Sequence, residues 1–149
     1  MVLQTQFPLS SFCNLFEHFS FNFSDPLTHI SLTHDAQCYV VSCQTDKVRL
    51  FDKDSGELLS EYSGHKSGDF IIESCVNSKD THILSGSTDG FIYCWELVSG
   101  KLQKFATSNT KRKTINSLSA HPSENMLLSS CAGIVEVWGP STALEEEVP

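Results

Sequence analysis

Three side chains of this 149-residue chain are of the types that form an acyl-transfer triad, namely His65, Ser85 and Asp89. A serine nucleophile, a histidine base and an aspartate that orients the base assemble on many unrelated folds. The serine of such a site is often exposed on a strained turn, as in a Gly-x-Ser-x-Gly elbow. Ser85 has no such elbow around it and follows Leu84 within an apolar run. The pattern therefore disfavours catalysis, and no catalytic residue is predicted.

A structural role explains the same residues when Trp95 is added to them. A buried indole N–H and a buried imidazole both need hydrogen-bond partners. A chain of hydrogen bonds could run from the indole through the Ser85 hydroxyl and the His65 imidazole to the Asp89 carboxylate. We interpret His65, Ser85, Asp89 and Trp95 as a structural tetrad that ties several strands together.

The tetrad residues lie in and around a predicted β-hairpin at residues 82–95. Two short apolar runs are separated there by Thr88, Asp89 and Gly90. An Asp-Gly pair between two β-rich runs is a strong signal for a tight hairpin turn. The sequence therefore places Ser85 and Trp95 on adjacent strands, with Asp89 in the turn between them.

The same pattern occurs three times along the chain. The aromatic anchors Phe51, Trp95 and Trp138 recur at intervals of 44 and 43 residues. A Gly-His pair about thirty residues before Trp-Asp, or a close variant such as Trp95-Glu96, is typical of a WD repeat, which forms one blade of a β-propeller. We expect an all-β fold, an open partial propeller of about three four-stranded blades.

The repeat also divides the chain. Residues 22–63 are predicted to form the first blade, 64–106 the second, and 107–139 a third that lacks its outer strand. Residues 1–21 are left unassigned, although the alternation at 18–23 is compatible with the outer strand of a preceding blade. Residues 140–149, with three consecutive glutamates, are predicted to be a solvated acidic tail.

Composition excludes several functions. The net charge of -8 argues against direct binding of nucleic acid, which needs a basic surface. No apolar run approaches the roughly 20 residues of a membrane-spanning helix, and the N-terminus does not resemble a signal peptide. The six cysteines lack metal-ligand spacing, so we predict no metal, no cofactor and no small-molecule substrate. Buried free cysteines indicate weakly a reducing compartment, and we expect a cytoplasmic location, with the nucleus as a second site.

The repeat can be compared with a known family. Residues 49–66, 95–100 and 120–122 resemble the C-terminal half of the mitogen-activated protein kinase organiser family of WD-repeat proteins. The resemblance extends over about residues 22–139. It implies a seven-bladed propeller that acts as a non-catalytic scaffold, assembling kinase modules and taking part in spliceosome complexes. Seven blades would need about 300 residues, so this chain matches only part of that architecture.

The leading hypothesis is therefore a platform for protein–protein interactions, with kinase-module components or spliceosomal proteins as partners. Two alternatives stay open: an RNA-processing component that touches RNA directly through the basic residues 111–113, and a truncated fragment without a function of its own. Charged residues on predicted turns and strand ends are the candidates for partner contacts. These are Asp46, Lys47, Arg49, Lys66, Asp69 and Asp89.

Overall fold

The structure is a computed structural model that describes residues 20–106 and 113–140. All of the regular elements in these ranges are β-strands, so the all-β expectation is confirmed. The predicted acidic tail, apart from Pro140, and the basic residues 111–112 lie outside the described residues. The strands are β1 (Leu27–Leu32), β2 (Cys38–Cys43), β3 (Lys47–Asp52), β4 (Leu58–Ser63), β5 (Ser74–Val76), β6 (His82–Ser85), β7 (Phe91–Glu96), β8 (Leu102–Ala106), β9 (Ile115–Ala120), β10 (Leu127–Cys131) and β11 (Ile134–Trp138).

The strands form three antiparallel sheets in which each strand pairs with its neighbours in the sequence. The first sheet contains β1–β4 and the second β5–β8, while the third has the order β11-β10-β9. The aromatic anchors occupy equivalent positions in all three. Phe51 lies opposite Tyr39, Trp95 opposite Ile83, and Trp138 opposite Leu127. In each sheet the anchor thus pairs with a residue at or next to the start of the preceding strand.

The tight turns explain how this register is kept. The hairpin turn between β6 and β7 has Gly90 at φ 81, and the turn between β2 and β3 has Asp46 at φ 59. Aspartate is one of the few residues other than glycine that occupies this left-handed region readily. The sequence leaves open whether Thr45 or Asp46 holds the turn of the first blade, and in the structure Asp46 has the backbone role that Gly90 has in the second.

The core lies between the sheets. One cluster packs residues of the first sheet, including Val48 and Tyr62, against Ile83 and Trp95 of the second. Another packs Leu84 and other residues of the second sheet against residues of the third. Each sheet is only one layer thick, so its apolar faces are buried by packing against the neighbouring sheet.

Two predicted strands differ from the observed ones. In the second blade the apolar pattern predicts an inner strand at 70–76, but only Ser74–Val76 (β5) forms one. Residues 70–73 do not join the pairing of β5 with β6 and make isolated backbone bonds, such as Glu73 N–H to Asn116 O of β9 at 2.9 Å. The strand considered for 18–23 is absent over the described residues 20–23. Phe23 instead packs edge-on against Phe51, with ring centroids 4.9 Å apart. This contact buries apolar surface on the outer face of the first sheet, whereas a single added strand would gain little stability from pairing alone.

No helix in the described ranges is long and apolar enough to cross a membrane.

The contact between the second and third sheets depends on Gly86. A Cβ atom at this position would lie 2.2 Å from the carbonyl oxygen of Ile115. Gly86→Ala should lower the free energy of unfolding by about 1–3 kcal/mol, because a backbone atom would have to move. Urea denaturation of the full chain measures this change. Gly139→Ala is the matched control, since its Cβ would meet only Met126 Cγ at 3.8 Å; equal losses in both variants would contradict the prediction.

Candidate functional site

Three connections meet at one end of the first two sheets, and we refer to them as the loop cluster. They are the β2–β3 turn (44–46), the β4–β5 loop (64–73) and the β6–β7 turn (86–90). The Asp46 carboxylate accepts hydrogen bonds from the amide and the hydroxyl of Ser67, both at 2.6 Å. The amide of Lys66 donates to Ser87 Oγ at 3.0 Å. The long loop is thereby held to a turn of each sheet.

His65 belongs to the β4–β5 loop of this cluster, and its ring is buried. Its side chain is only 2% exposed, and its ring packs edge-on against Trp95 with centroids 5.6 Å apart. Nδ1 is buried and has no hydrogen-bond partner in the described part of the chain. Burial lowers the pKa of His65 below its ordinary value of 6.5, although the nearby charges of Asp46 and Asp89 act in the opposite direction. The imidazole is therefore held neutral at physiological pH.

The predicted chain of hydrogen bonds through the tetrad is not the one in the structure. The indole N–H of Trp95 donates to the carbonyl oxygen of Ser63 at 3.2 Å, and the Ser85 hydroxyl donates to the carbonyl oxygen of Gly86 at 3.0 Å. The Trp95 indole and the Ser85 hydroxyl thus both donate to backbone carbonyls and not to the predicted side chains. The four residues lie in one region of the second blade, but their common role as a tetrad stays a prediction.

Asp89 belongs to a different set of contacts. Its carboxylate accepts from the Tyr93 hydroxyl at 2.8 Å and from the amide of Phe91 at 3.2 Å. Burial raises the pKa of Asp89, but this effect is outweighed by the hydrogen bonds from Ser87, Tyr93 and Phe91, so the pKa lies below its ordinary value. Burial and the bond to Asp89 raise the pKa of Tyr93 to about 12. Asp89 thus braces the hairpin and is ionised.

The other blades use different solutions at the equivalent positions. In the third blade, the indole of Trp138 donates to Ser129 Oγ at 2.9 Å, which is the tryptophan–serine bond expected for the second blade. In the first blade Phe51 has no donor, and Ser42 bonds instead to Ser74 of the second sheet, with the hydroxyl oxygens 2.6 Å apart. The three anchor side chains therefore lie at similar places in their sheets but differ in their hydrogen bonds.

The site offers no arrangement for nucleophilic catalysis. The Ser85 side chain is fully buried, and its hydroxyl donates to a backbone carbonyl and not to an imidazole. Burial raises the pKa of the Cys75 thiol to about 12, so that cysteine is inert. Within residues 20–106 and 113–140, no three histidine, cysteine or acidic side chains come together as a metal site.

The residues considered for partner contacts divide into two groups. Arg49 is committed to ion pairs with Asp25 at 2.6 Å and Glu61 at 2.9 Å. The Asp46 carboxylate is bonded to Ser67, and the Asp89 carboxylate to Tyr93. Lys47 pairs with Glu61 at 2.7 Å. Lys66 and Asp69 are exposed on the β4–β5 loop.

Sequence reasoning missed the two large apolar residues beside them. Phe70 is 50% and Ile71 66% exposed, whereas the apolar pattern predicts that both belong to the inner strand of the second blade. The signal was ambiguous, because a Phe-Ile-Ile run reads as strand wherever it occurs. Only Ile72 of this run is buried, at 1% exposed.

Comparison with known proteins agrees with this architecture. The profile of the family described as WD domain, G-beta repeat matches residues 56–96. Two solved structures, described as "Structure of U3-55K" and "Crystal structure of RRP9 WD40 repeats", superpose with a TM-score of 0.68 at 17% identity, over 80% of this chain. They correspond to 38% and 37% of those chains. The chain therefore has the fold of a WD-repeat β-propeller, of which it forms an open part.

Proteins with similar sequences define the relationship more narrowly than the shared fold does. WD repeat domain-containing protein 83 from Danio rerio is 43% identical over 124 residues, which cover 82% of this chain and 39% of that protein. The Homo sapiens protein of the same name is 38% identical over 120 residues, or 80% of this chain and 38% of its own length. This chain thus spans about two fifths of the length of the curated relatives it matches. Proteins built from this repeat are generally non-enzymatic and serve as scaffolds for protein–protein interactions.

Trp95 is the largest side chain in the interface of the first two sheets, and it is 2% exposed. Trp95→Ala should lower the free energy of unfolding by about 3–5 kcal/mol, because it leaves a large cavity and removes the indole donor. Chemical denaturation followed by circular dichroism measures the loss. A loss below about 1 kcal/mol would show that the anchor is not part of the stabilising core.

The buried neutral His65 predicts a pH dependence of stability. As the pH falls through the ordinary histidine value of 6.5, the unfolded chain binds a proton that the folded chain does not bind. The free energy of unfolding should therefore fall between about pH 7.5 and pH 5.5. In His65→Gln this part of the pH dependence should disappear, as urea denaturation at several pH values would show. An unchanged slope in the variant would place the titrating group elsewhere.

Proposed function

We propose that this chain is a non-catalytic scaffold that binds protein partners through the loop cluster. The partners proposed are components of a mitogen-activated protein kinase module, spliceosomal proteins, or both, with a cytoplasmic location and the nucleus as a second site. The resemblance of residues 49–66 and the similarity to WD repeat domain-containing protein 83 support this assignment.

The observation that carries the proposal is the exposed end of the β4–β5 loop. Lys66 and Asp69 are exposed there, next to the largely exposed side chains of Phe70 and Ile71. Aromatic and aliphatic side chains within a polar rim are typical of the energetic centre of a protein interface. The loop that presents them is anchored through Ser67 and Lys66, so partner binding would not have to order it first.

The described surface does not favour RNA as the direct ligand. The chain has 18 acidic residues against 10 basic ones, and Glu61 neutralises two of these, Lys47 and Arg49. Nucleic-acid binding depends on uncompensated lysine and arginine. The acidic balance therefore argues against an RNA contact through the basic residues 111–113.

The proposal predicts which surface variants lose partner binding. The double variant Phe70→Ser, Ile71→Ser should weaken binding by at least about tenfold, because both side chains would be buried in the complex. Purified kinase-module components and purified spliceosomal complexes are tested separately against the immobilised full chain. Val98→Ser is the control, since Val98 is 91% exposed on the β7–β8 turn at the opposite end of the blade.

Two results would contradict the proposal. If neither kind of partner binds the unmodified chain, the proposed partners are wrong; if the double variant binds as well as the control, the surface is wrong. Filter binding with single-stranded RNA at low salt tests the competing role. Salt-sensitive binding of RNA to the unmodified chain would favour a direct RNA contact.

A further inference from the structure

A cavity of about 440 Å³ lies between the second and third sheets, and we refer to it as the interblade cavity. Its lining includes residues of the β5–β6 and β9–β10 turns, which are at the end of the sheets opposite the loop cluster. The apolar part of the lining consists of Leu84, Cys94, Ala120, Leu127 and Trp138, with Met126 beside them. A volume of a few hundred cubic ångströms with an apolar lining and a few polar groups is typical of a binding pocket.

The contact between the first and second sheets shows why this space exists. Ala120 has the position in the third sheet that Val76 has in the second, and Cys94 has the position in the second sheet that Leu50 has in the first. Val76 and Leu50 are each 3% exposed and belong to one core cluster. Both sides of the next contact therefore carry a smaller side chain at these positions, and the volume that a valine and a leucine would fill is left open.

The rim of the interblade cavity differs in the same sense. At the first contact, the Asp80 carboxylate accepts hydrogen bonds from the amides of His34 and Asp35 at 2.9 and 3.0 Å, which ties the turns of the two sheets together. Glu124 has the position of Asp80 in the next turn and lines the cavity. It is exposed and makes no ion pair with any residue in the described part of the chain. The acidic group that closes the first contact thus remains available at the second.

The lining indicates the chemistry of an occupant. The indole of Trp138 and the sulfur-bearing side chains of Cys94 and Met126 are favourable neighbours for an aromatic ring. The carboxylate of Glu124 favours a cation at the rim, and the amide of Gln103 can both donate to and accept from a peptide backbone. A peptide segment with an aromatic residue beside a basic one satisfies all of these groups together.

We infer that the interblade cavity receives an aromatic side chain of a partner protein, and that a lysine or arginine next to it in the partner's sequence pairs with Glu124. This inference rests on the proposed scaffold function. It adds a second contact surface, at the end of the sheets opposite the loop cluster.

The test uses a variant in which the interblade cavity is filled. The double variant Cys94→Leu, Ala120→Val introduces the side chains of the equivalent positions at the first contact, so its melting temperature should not fall. Random twelve-residue peptides displayed on phage are selected on the immobilised full chain, and peptides that also bind the filled variant are removed. The remaining peptides should share an aromatic residue next to a lysine or arginine.

Fluorescence anisotropy with one labelled peptide from this selection then measures the two contacts separately. Its affinity should fall at least about tenfold in the filled variant, and by a similar factor when its aromatic residue is replaced by alanine. Glu124→Lys should weaken binding more than Glu124→Gln, because it replaces attraction by repulsion. Val98→Ser is the matched control at the same end of the sheets and should bind as the unmodified chain does, since Val98 is 91% exposed and does not line the cavity.

Four outcomes would overturn the inference. They are a selection without a shared aromatic residue, equal affinity for the unmodified chain and the filled variant, affinity that Glu124→Lys does not lower, and a lower melting temperature of the filled variant. The last would show that another part of the chain already occupies the cavity.

The scaffold role is judged separately, by capture of purified kinase-module components and spliceosomal complexes on the full chain. Capture that the filled variant retains, together with a failed peptide selection, would leave the scaffold role standing and remove this inference alone. Loss of capture in the Phe70→Ser, Ile71→Ser variant tests the loop cluster and does not bear on the interblade cavity.

Discussion

Face-to-face packing of one small sheet on the next is the interaction on which the rest of this structure depends. A sheet of three or four short strands cannot bury both of its faces by itself. The second sheet buries residues on both faces, Ile83 and Trp95 against the first sheet and Leu84 and Ile92 within the cluster shared with the third. Among the described residues, the first and third sheets each pack against one other sheet, and their other faces carry exposed apolar residues such as Ile30 and Val135.

The repeat in the sequence and the sheet in the structure are offset by one strand. Residues 56–96, which match the WD-repeat profile, include β4 of the first sheet and β5–β7 of the second. Each repeat therefore belongs covalently to two blades. The position of His65 follows from this offset, since it lies in the connection between β4 and β5 and packs against Trp95 of β7, the third strand after that connection. The indole bond to Ser63 crosses the same boundary.

The two ends of the stacked sheets are treated differently. At the first sheet, Phe23 packs on Phe51 and Asp25 pairs with Arg49, so a short irregular segment covers part of the outer face. At the third sheet, Val135 and Val137 remain exposed beside an edge strand without a strand partner in the described residues. Within the described residues, the outer face of the first sheet is therefore partly covered, whereas the outer edge of the third sheet is open.

Elements with local signals could be predicted from the sequence. The Asp89-Gly90 hairpin, the recurring anchors Phe51, Trp95 and Trp138, and the strands around them follow from turn chemistry and alternation, which act over a few residues. Only the folded chain shows that the Trp95 indole bonds to the Ser63 carbonyl, that Phe70 and Ile71 are exposed, and that the Glu136 carboxylate is buried with no hydrogen-bond partner among residues 20–106 and 113–140. These outcomes depend on which backbone carbonyl or neighbouring sheet lies within a few ångströms, and contacts between distant parts of the chain leave no periodic signal in the sequence.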